Sequence, residues 1–260
     1  MTGVTRRAGI GAAIAKELAR AGAQLFLACF RTYDQGQSWG LEPGETDDLL
    51  DELRALSAVS ALDLDLSLPS APRELVERAV ARFGRLDILV NNAAHWEAGG
   101  LDEVDAAQLD RHYAVNTRAT VLLCREFAQH APEHGPGRII NITSGQGEGP
   151  MPGELAYVVT KAALDALTLT LSAELAHRNI TVNAIDPGPT DTGWISAEQR
   201  VALAGTISSP DATARVVRML AGEAAAHVTG RVIRVKPGRD AGLDALRAPA
   251  YTDDRMHGSR

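Results

Sequence analysis

Thr2-Gly3-Val4-Thr5-Arg6-Arg7-Ala8-Gly9-Ile10-Gly11 opens the chain, and an amphipathic run from Ile10 to Ala21 follows at once. Glycines at this spacing before a helix permit a tight turn and let a pyrophosphate approach the backbone N–H groups of the helix start. Taken alone the loop is a weak signal, because turns and close packing also use glycine. Arg6 and Arg7 strengthen it, since two cations on such a loop suit an additional phosphate. A loop of this kind should follow a strand, yet only Met1 precedes Thr2. The expectation is a start truncated or misassigned, with the true one upstream of Met1. Natural loss of a central strand would leave ladder groups and apolar surface bare on both neighbours.

Outward from the loop, short apolar runs alternate with amphipathic stretches. That pattern predicts an α/β, Rossmann-like doubly wound parallel sheet with helices on both faces and its first strand missing or truncated. Strands are predicted at Gln24–Phe30, Val59–Leu64, Leu86–Val90, Arg138–Ile142, Ile180–Ile185 and Arg231–Val235. Helices are predicted at about Asp48–Leu56, Ala71–Phe83, Leu109–Ala128, Ala156–Ala176 and Asp211–Leu220. Residues 31–48 form a polar, Gly-rich and acidic excursion. Residues 1–238 read as one dinucleotide-binding and catalytic domain. Residues 239–260, without sustained periodicity, read as a flexible tail.

The chain has 260 residues, 26 basic and 33 acidic, for a formal net charge of -7. That balance favours solubility and argues against a nucleic-acid partner. Cys29 and Cys124 sit in apolar runs and read as buried free thiols. No stretch reaches the length of a membrane span, and the start lacks a basic-then-apolar export signal, which together suggest a cytoplasmic protein. His95, His112, His130 and His134 show no metal-ligand spacing, so no metal is expected.

The strand Gln24–Phe30 ends at Arg31 with no carboxylate in place. An Asp or Glu there would accept from adenosine ribose hydroxyls and repel a 2′-phosphate. Arg31, with Arg6 or Arg7, could instead pair with that phosphate, so NADP(H) is favoured over NAD(H). A solvated loop charge is the competing reading of a single arginine.

Tyr157 and Lys161 lie one helical turn apart on the same face. A nearby ammonium stabilises tyrosinate and draws the phenol pKa down, as proton transfer to a developing alkoxide requires. Ser144 stands just past an apolar strand, where a hydroxyl could hold a carbonyl oxygen. A lone Y-x-x-x-K is also common on solvated helix faces.

Taken in order, the Gly3/Gly9/Gly11 loop, Asn91-Asn92-Ala93-Ala94, Asn116 in Tyr-Ala-Val-Asn, Ser144, Tyr157/Lys161 and Pro187-Gly188-Pro189-Thr190 resemble the classical short-chain dehydrogenase/reductase family. The likeness runs over nearly the whole chain and is nearest to bacterial members described as 3-oxoacyl-carrier-protein reductases. It implies that Tyr157 is the general acid/base, Ser144 polarises the substrate oxygen, Lys161 holds the nicotinamide ribose and tunes Tyr157, and Asn116 completes a proton relay. Gly3, Arg6, Arg7, Gly9, Ile10, Gly11 and Arg31 would hold the phosphates. Asp65 and Leu66 would meet the adenine, and Asn91, Asn92 and Ala93 would line the adenosine side. Pro187, Gly188 and Thr190 would contact the nicotinamide end. Substrate would touch Ser144, Gln146, Tyr157 and Trp194, with His95 and Trp96 as further walls. The chain departs from the family in the extra residues of its glycine loop, the long 31–48 excursion and the exit Pro237-Gly238-Arg239.

The activity implied is hydride transfer between a nicotinamide cofactor and a ketone or secondary alcohol, a 3-oxoacyl thioester among them. A homotetramer or homodimer is expected, with neither membrane nor nucleic acid as partner. The alternative is a non-catalytic binding or scaffold protein impaired by loss of the first strand.

Overall fold

The computed structural model describes residues 1–131, 135–193 and 205–236. Helix α1 (Ile10–Arg20) leads into strand β1 (Leu25–Cys29), and two helices, α2 (Arg31–Gln35) and α3 (Glu45–Arg54), occupy the excursion before β2 (Val59–Asp63). Then come α4 (Ala71–Phe83), β3 (Ile88–Asn91), α5 (Ala106–His112), a π-helical segment Tyr113–Ala119 and α6 (Thr120–His130). Strand β4 (Gly137–Ile142), helix α7 (Leu155–Glu174), β5 (Ile180–Asp186), α8 (Pro210–Ala221) and β6 (Arg231–Arg234) complete the described elements.

All strand pairs are parallel. β1 pairs with β2, and β3, β4, β5 and β6 form a second run in that order. Met1–Val4 lie between the two runs as a stub of strand. The Met1 ammonium donates to Phe26 O at 2.8 Å, and Ala28 N donates to Met1 O at 2.9 Å. Gly3 N donates to Ala28 O at 2.9 Å, and Thr2 N crosses to Val90 O at 3.1 Å. Met1–Val4 therefore supply a short first-strand segment, and they seat the glycine loop. Below the stub, between Leu25–Phe26 and Ile88–Val90, lies a cavity of about 370 Å³ walled by Leu18, Leu75, Val76 and Ala79.

Alternation along the strands builds two cores. Leu25, Leu27, Ile140, Ile142 and Ile185 face α1, α3 and α8 with Ile14, Leu53 and Val217. Phe26, Ala28, Ile139 and Val182 face α4 and α6 with Val76, Leu123 and Phe127. Each such side chain, fully buried, contributes about 2 kcal/mol.

Three expectations are corrected. Helix α3 begins at Glu45 rather than Asp48, and α2 falls where no helix is expected. The single helix expected over Leu109–Ala128 is split by the π segment, within which buried Asn116 turns its side chain to His95 and Thr160, and Thr120 Oγ1 donates to Asn116 O. Helix α7, at 20 residues, is long and apolar enough by composition to cross a bilayer, yet it packs on β5 and carries Lys161 and Asp165. Both cysteines are free and buried, as expected.

Candidate active site and cofactor cleft

Strand β4 is buried throughout and delivers Ser144 two residues beyond its end, in extended backbone (φ -157°). Helix α7 starts at Leu155, which puts Tyr157 and Lys161 on its first two turns. Ser144 and Tyr157 share a side-chain hydrogen bond. Lys161 Nζ donates to Ile142 O at 2.8 Å and lies 5.8 Å from the Tyr157 ring centroid. The helix is pinned to the sheet a second time by a buried chain, Asn91 Nδ2 to Asn141 Oδ1 (2.8 Å) and Asn141 Nδ2 to Thr168 Oγ1 (2.9 Å).

Asn116, fully buried, is held from three directions. Its Oδ1 accepts from His95 N at 2.7 Å, and its Nδ2 donates to His95 O (2.9 Å) and to Thr160 Oγ1 (3.1 Å). It therefore ties the loop after β3 to α7. The π segment makes this possible by widening the helix at the residue that must reach both.

Burial pushes the Tyr157 phenol well above its ordinary value. The hydrogen bond from Ser144 opposes that shift, and the charges of Glu154, Tyr33 and Asp186 add to it. The expected downward pull is thus overridden by desolvation. Burial also lowers Lys161 to about 8, with the Asp165 carboxylate opposing. Asp165 and Asp186 are themselves raised by burial.

A cleft of about 420 Å³ opens over the glycine loop; His95, which Asn116 holds, lines it, whereas Ser144, Tyr157 and Lys161 do not. Its floor accepts only glycine. A Cβ on Gly11 would stand 2.0 Å from Gly3 O, and one on Gly3 (φ +74°) would stand 2.7 Å from Asn92 Nδ2. Helix α1 opens onto this floor with Gly9 as N-cap, no side-chain cap and no acidic residue in its first turn. Such a helix start presents N–H groups to an anion, so these residues fit the diphosphate of a dinucleotide.

Of the residues assigned to the cofactor, Gly3, Arg6, Gly9, Ile10, Gly11, Asp65, Leu66, Asn92 and Ala93 line the cleft. Several others do not. Asn91 is buried in the sheet on Asn141. Arg7 turns away to Glu52 (2.6 Å), while Glu45 takes its backbone N–H at 2.7 Å. The extra residues of the glycine loop are thus folded aside, with Gly9 N returning to Arg6 O. Arg31 flanks the cleft, held by Asp47 (2.6 Å) and Asp63 (3.1 Å). Pro187 and Gly188 shape the exit from β5, where Gly188 N donates to Asp186 Oδ1. Thr190 is buried with its hydroxyl on Pro187 O and Gly188 O, and Thr192 reaches the cleft instead. Gln146 donates to Asp165 at 2.9 Å rather than toward Ser144. Trp194 lies outside the described residues.

No carboxylate ends β1 itself, yet two stand near it in space. Asp34 lines the cleft, and the parallel register of Cys29 with Asp63 brings a second carboxylate alongside. Sequence reading named Trp96 as a wall but missed its aromatic partners Tyr33 and Trp39. Tyr33 OH accepts from Trp96 N at 2.9 Å, the Trp39 and Trp96 rings lie 6.3 Å apart, and Arg6 stacks over Trp39 at 5.7 Å. The signal available was the clustering of Tyr33 and Trp39 in a chain only 4% aromatic. Behind the wall, Arg111 and then His95 hold Glu97 down to about 2. Among the described residues no group of three or more His, Cys, Asp or Glu could hold a metal ion.

A family model described as enoyl-(acyl carrier protein) reductase matches residues 3–240. An uncharacterized oxidoreductase of Bacillus subtilis (strain 168), YjdA, is 40% identical over 245 residues, covering 92% of this chain and 94% of that one. Among solved structures, a short-chain dehydrogenase/reductase from Serratia marcescens BCRC 10948 superposes with TM-score 0.80 at 32% identity, covering 91% of this chain and 95% of its own. A short chain dehydrogenase from Burkholderia cenocepacia J2315, in complex with NADP, gives TM-score 0.80 at 30% identity over 91% of this chain and 96% of its own.

Proposed function

This chain belongs to the classical short-chain dehydrogenase/reductase family, and from that premise we propose how its residues divide the work of an NAD(P)-dependent oxidoreductase acting on a ketone or secondary alcohol. The carrying observation is the Ser144–Tyr157 hydroxyl pair, backed by buried Lys161 and linked through Asn116 and His95 to a cleft whose floor only glycine fits. The bound nicotinamide supplies or accepts the hydride. Ser144 holds the substrate oxygen. Tyr157 gives that oxygen its proton in reduction and removes it in oxidation. Lys161 orients the ribose and the phenol, and Asn116 keeps the relay geometry through His95 and Thr160.

Gly3, Gly9, Ile10 and Gly11 cradle the diphosphate, with Arg6 above them. Asp65, Leu66, Asn92 and Ala93 take the adenosine half, and Thr192 with the Pro187–Thr190 turn the nicotinamide half. NADP(H) is the preferred cofactor on this reading, supported by the NADP bound to the Burkholderia relative. One domain, residues 1–238, does all of this in the cytoplasm. The exposed apolar side chains Leu109, Tyr113 and Val121, with Leu155, Val159 and Leu169 on α7, support self-association to a homodimer or homotetramer.

The test is calorimetric binding of NADP(H) and NAD(H), followed by turnover on a panel of ketones and alcohols that includes a 3-oxoacyl thioester. Binding with turnover that Tyr157→Phe removes is the expected result. A folded chain that binds neither cofactor would instead favour a non-catalytic binding protein.

A further inference from the structure

We propose that Asp47, at the start of α3, sets how strongly the cleft discriminates between a cofactor bearing a 2′-phosphate and one with a free 2′-hydroxyl. The inference rests on the cofactor reading above and concerns a residue that the reading does not use. Arg31 follows β1 directly, where a cation would meet a 2′-phosphate. Its two terminal nitrogens are already occupied, Nη2 by Asp47 Oδ1 at 2.6 Å and Nη1 by Asp63 Oδ2 at 3.1 Å. One guanidinium between two carboxylates leaves the corner with a net negative charge. A 2′-phosphate must therefore displace a carboxylate to reach the guanidinium, a cost that a free 2′-hydroxyl does not meet.

The two carboxylates are not equally free to yield. Asp63 ends β2, in register with Cys29. Asp47 is 71% exposed, and nothing else in its helix depends on the pair. Helix α3 is anchored independently by Thr46 Oγ1 on Thr5 O (2.8 Å), by Glu45 on Arg7 N, and by buried Leu49, Leu50 and Leu53. The Asp47 side chain can therefore leave Arg31 without moving the helix, and its withdrawal is what frees a donor for phosphate. Neighbouring Glu45 and Asp48 keep the helix start acidic when Asp47 is removed, and solvent screens the pair, so the effect is moderate.

The experiment measures binding of 2′,5′-ADP and 5′-AMP to the full-length chain by calorimetry, in wild type, Asp47→Asn, Arg31→Gln and the double variant. Asp47→Asn should tighten 2′,5′-ADP about three- to tenfold and change 5′-AMP by less than about twofold. In the Arg31→Gln background the same change should do nothing, because the effect acts through that guanidinium. An unchanged or weakened 2′,5′-ADP affinity in Asp47→Asn overturns the inference while leaving the cofactor reading intact. Equal tightening with and without Arg31 also overturns it, by showing general charge screening. A wild-type chain that binds neither nucleotide overturns both readings together.

Discussion

The catalytic cluster and the rim of the cofactor cleft are built from the same kinds of polar side chain by opposite means. At the catalytic end Lys161, Asn116, Asn141 and Thr168 are nearly or fully buried, and each hydrogen bond ties one secondary-structure element to another. At the rim of the cofactor cleft Arg31 meets Asp47 and Arg7 meets Glu52 in solvent, both carboxylates standing on α3, a helix inserted between β1 and β2. Buried polar groups left without partners cost several times more than a broken surface ion pair. The first region should therefore be intolerant of change and the second adjustable. On the proposed reading, chemistry is held in the rigid part and selection among cofactors in the part that can be retuned.

Four substitutions would break or sharpen that contrast, in descending order of effect. Tyr157→Phe should lower kcat by about 10³-fold, the range expected for loss of a positioned general acid, while cofactor affinity stays within about twofold. Steady-state turnover with a parallel fluorescence titration checks this, and retained turnover would remove Tyr157 from the proposed role. Asn116→Ala leaves the His95 N–H and C=O without their partner, while the Thr160 hydroxyl keeps its bond to Ala156 O. Unfolding stability should drop by about 2–4 kcal/mol in a urea titration, and a loss under about 1 kcal/mol would show that the catalytic end is not rigid in the way argued.

Lys161→Met should abolish turnover and yet stabilise the fold at neutral pH by on the order of 1–3 kcal/mol. The sign follows from burial, which lowers Lys161 to about 8 from its ordinary 10.5. Below pH 8 the wild type carries the whole cost of a buried ammonium. Between about pH 8 and 10.5 the unfolded chain binds more protons than the folded one, so wild-type stability rises with pH. The advantage of methionine should fade over that window, and thermal melts at pH 7 and pH 10 that show an equal gap would refute the burial argument. Arg7→Ala should be the mildest, costing less than about 1 kcal/mol and leaving cofactor affinity within about twofold, because its guanidinium lies on Glu52 in solvent. A tenfold loss of cofactor affinity in the same titration would return Arg7 to the phosphate site.

Much of this was legible before any fold was in view. The spacing of Gly3, Gly9 and Gly11, the Tyr157/Lys161 pair and the β–α alternation each follow from local rules, namely a turn's steric demand, a helix's period and a strand's pleat. Helix α4 was read to the residue because Pro72 near its start and Gly84 (φ 78°) after its end mark both boundaries. The 31–48 excursion resisted the same reading. Its helices are short and polar, and what holds them is contact with the glycine loop rather than their own periodicity.

By itself the sequence determined a parallel α/β sheet, a glycine floor at its switch point and three polar residues in the order a carbonyl reductase uses. Those are properties of neighbouring residues, and local geometry expresses them wherever the chain folds. Tertiary structure alone decided that Met1–Val4 complete the seam between β1 and β3 and that Asn116 grips His95. It alone turned Arg7 to Glu52 and set Arg31 between two carboxylates, one of them 32 residues distant along the chain. A charge has no preferred partner until the fold fixes which opposite charges stand within a few ångströms, because Coulomb attraction depends on distance in space and not on position in the chain.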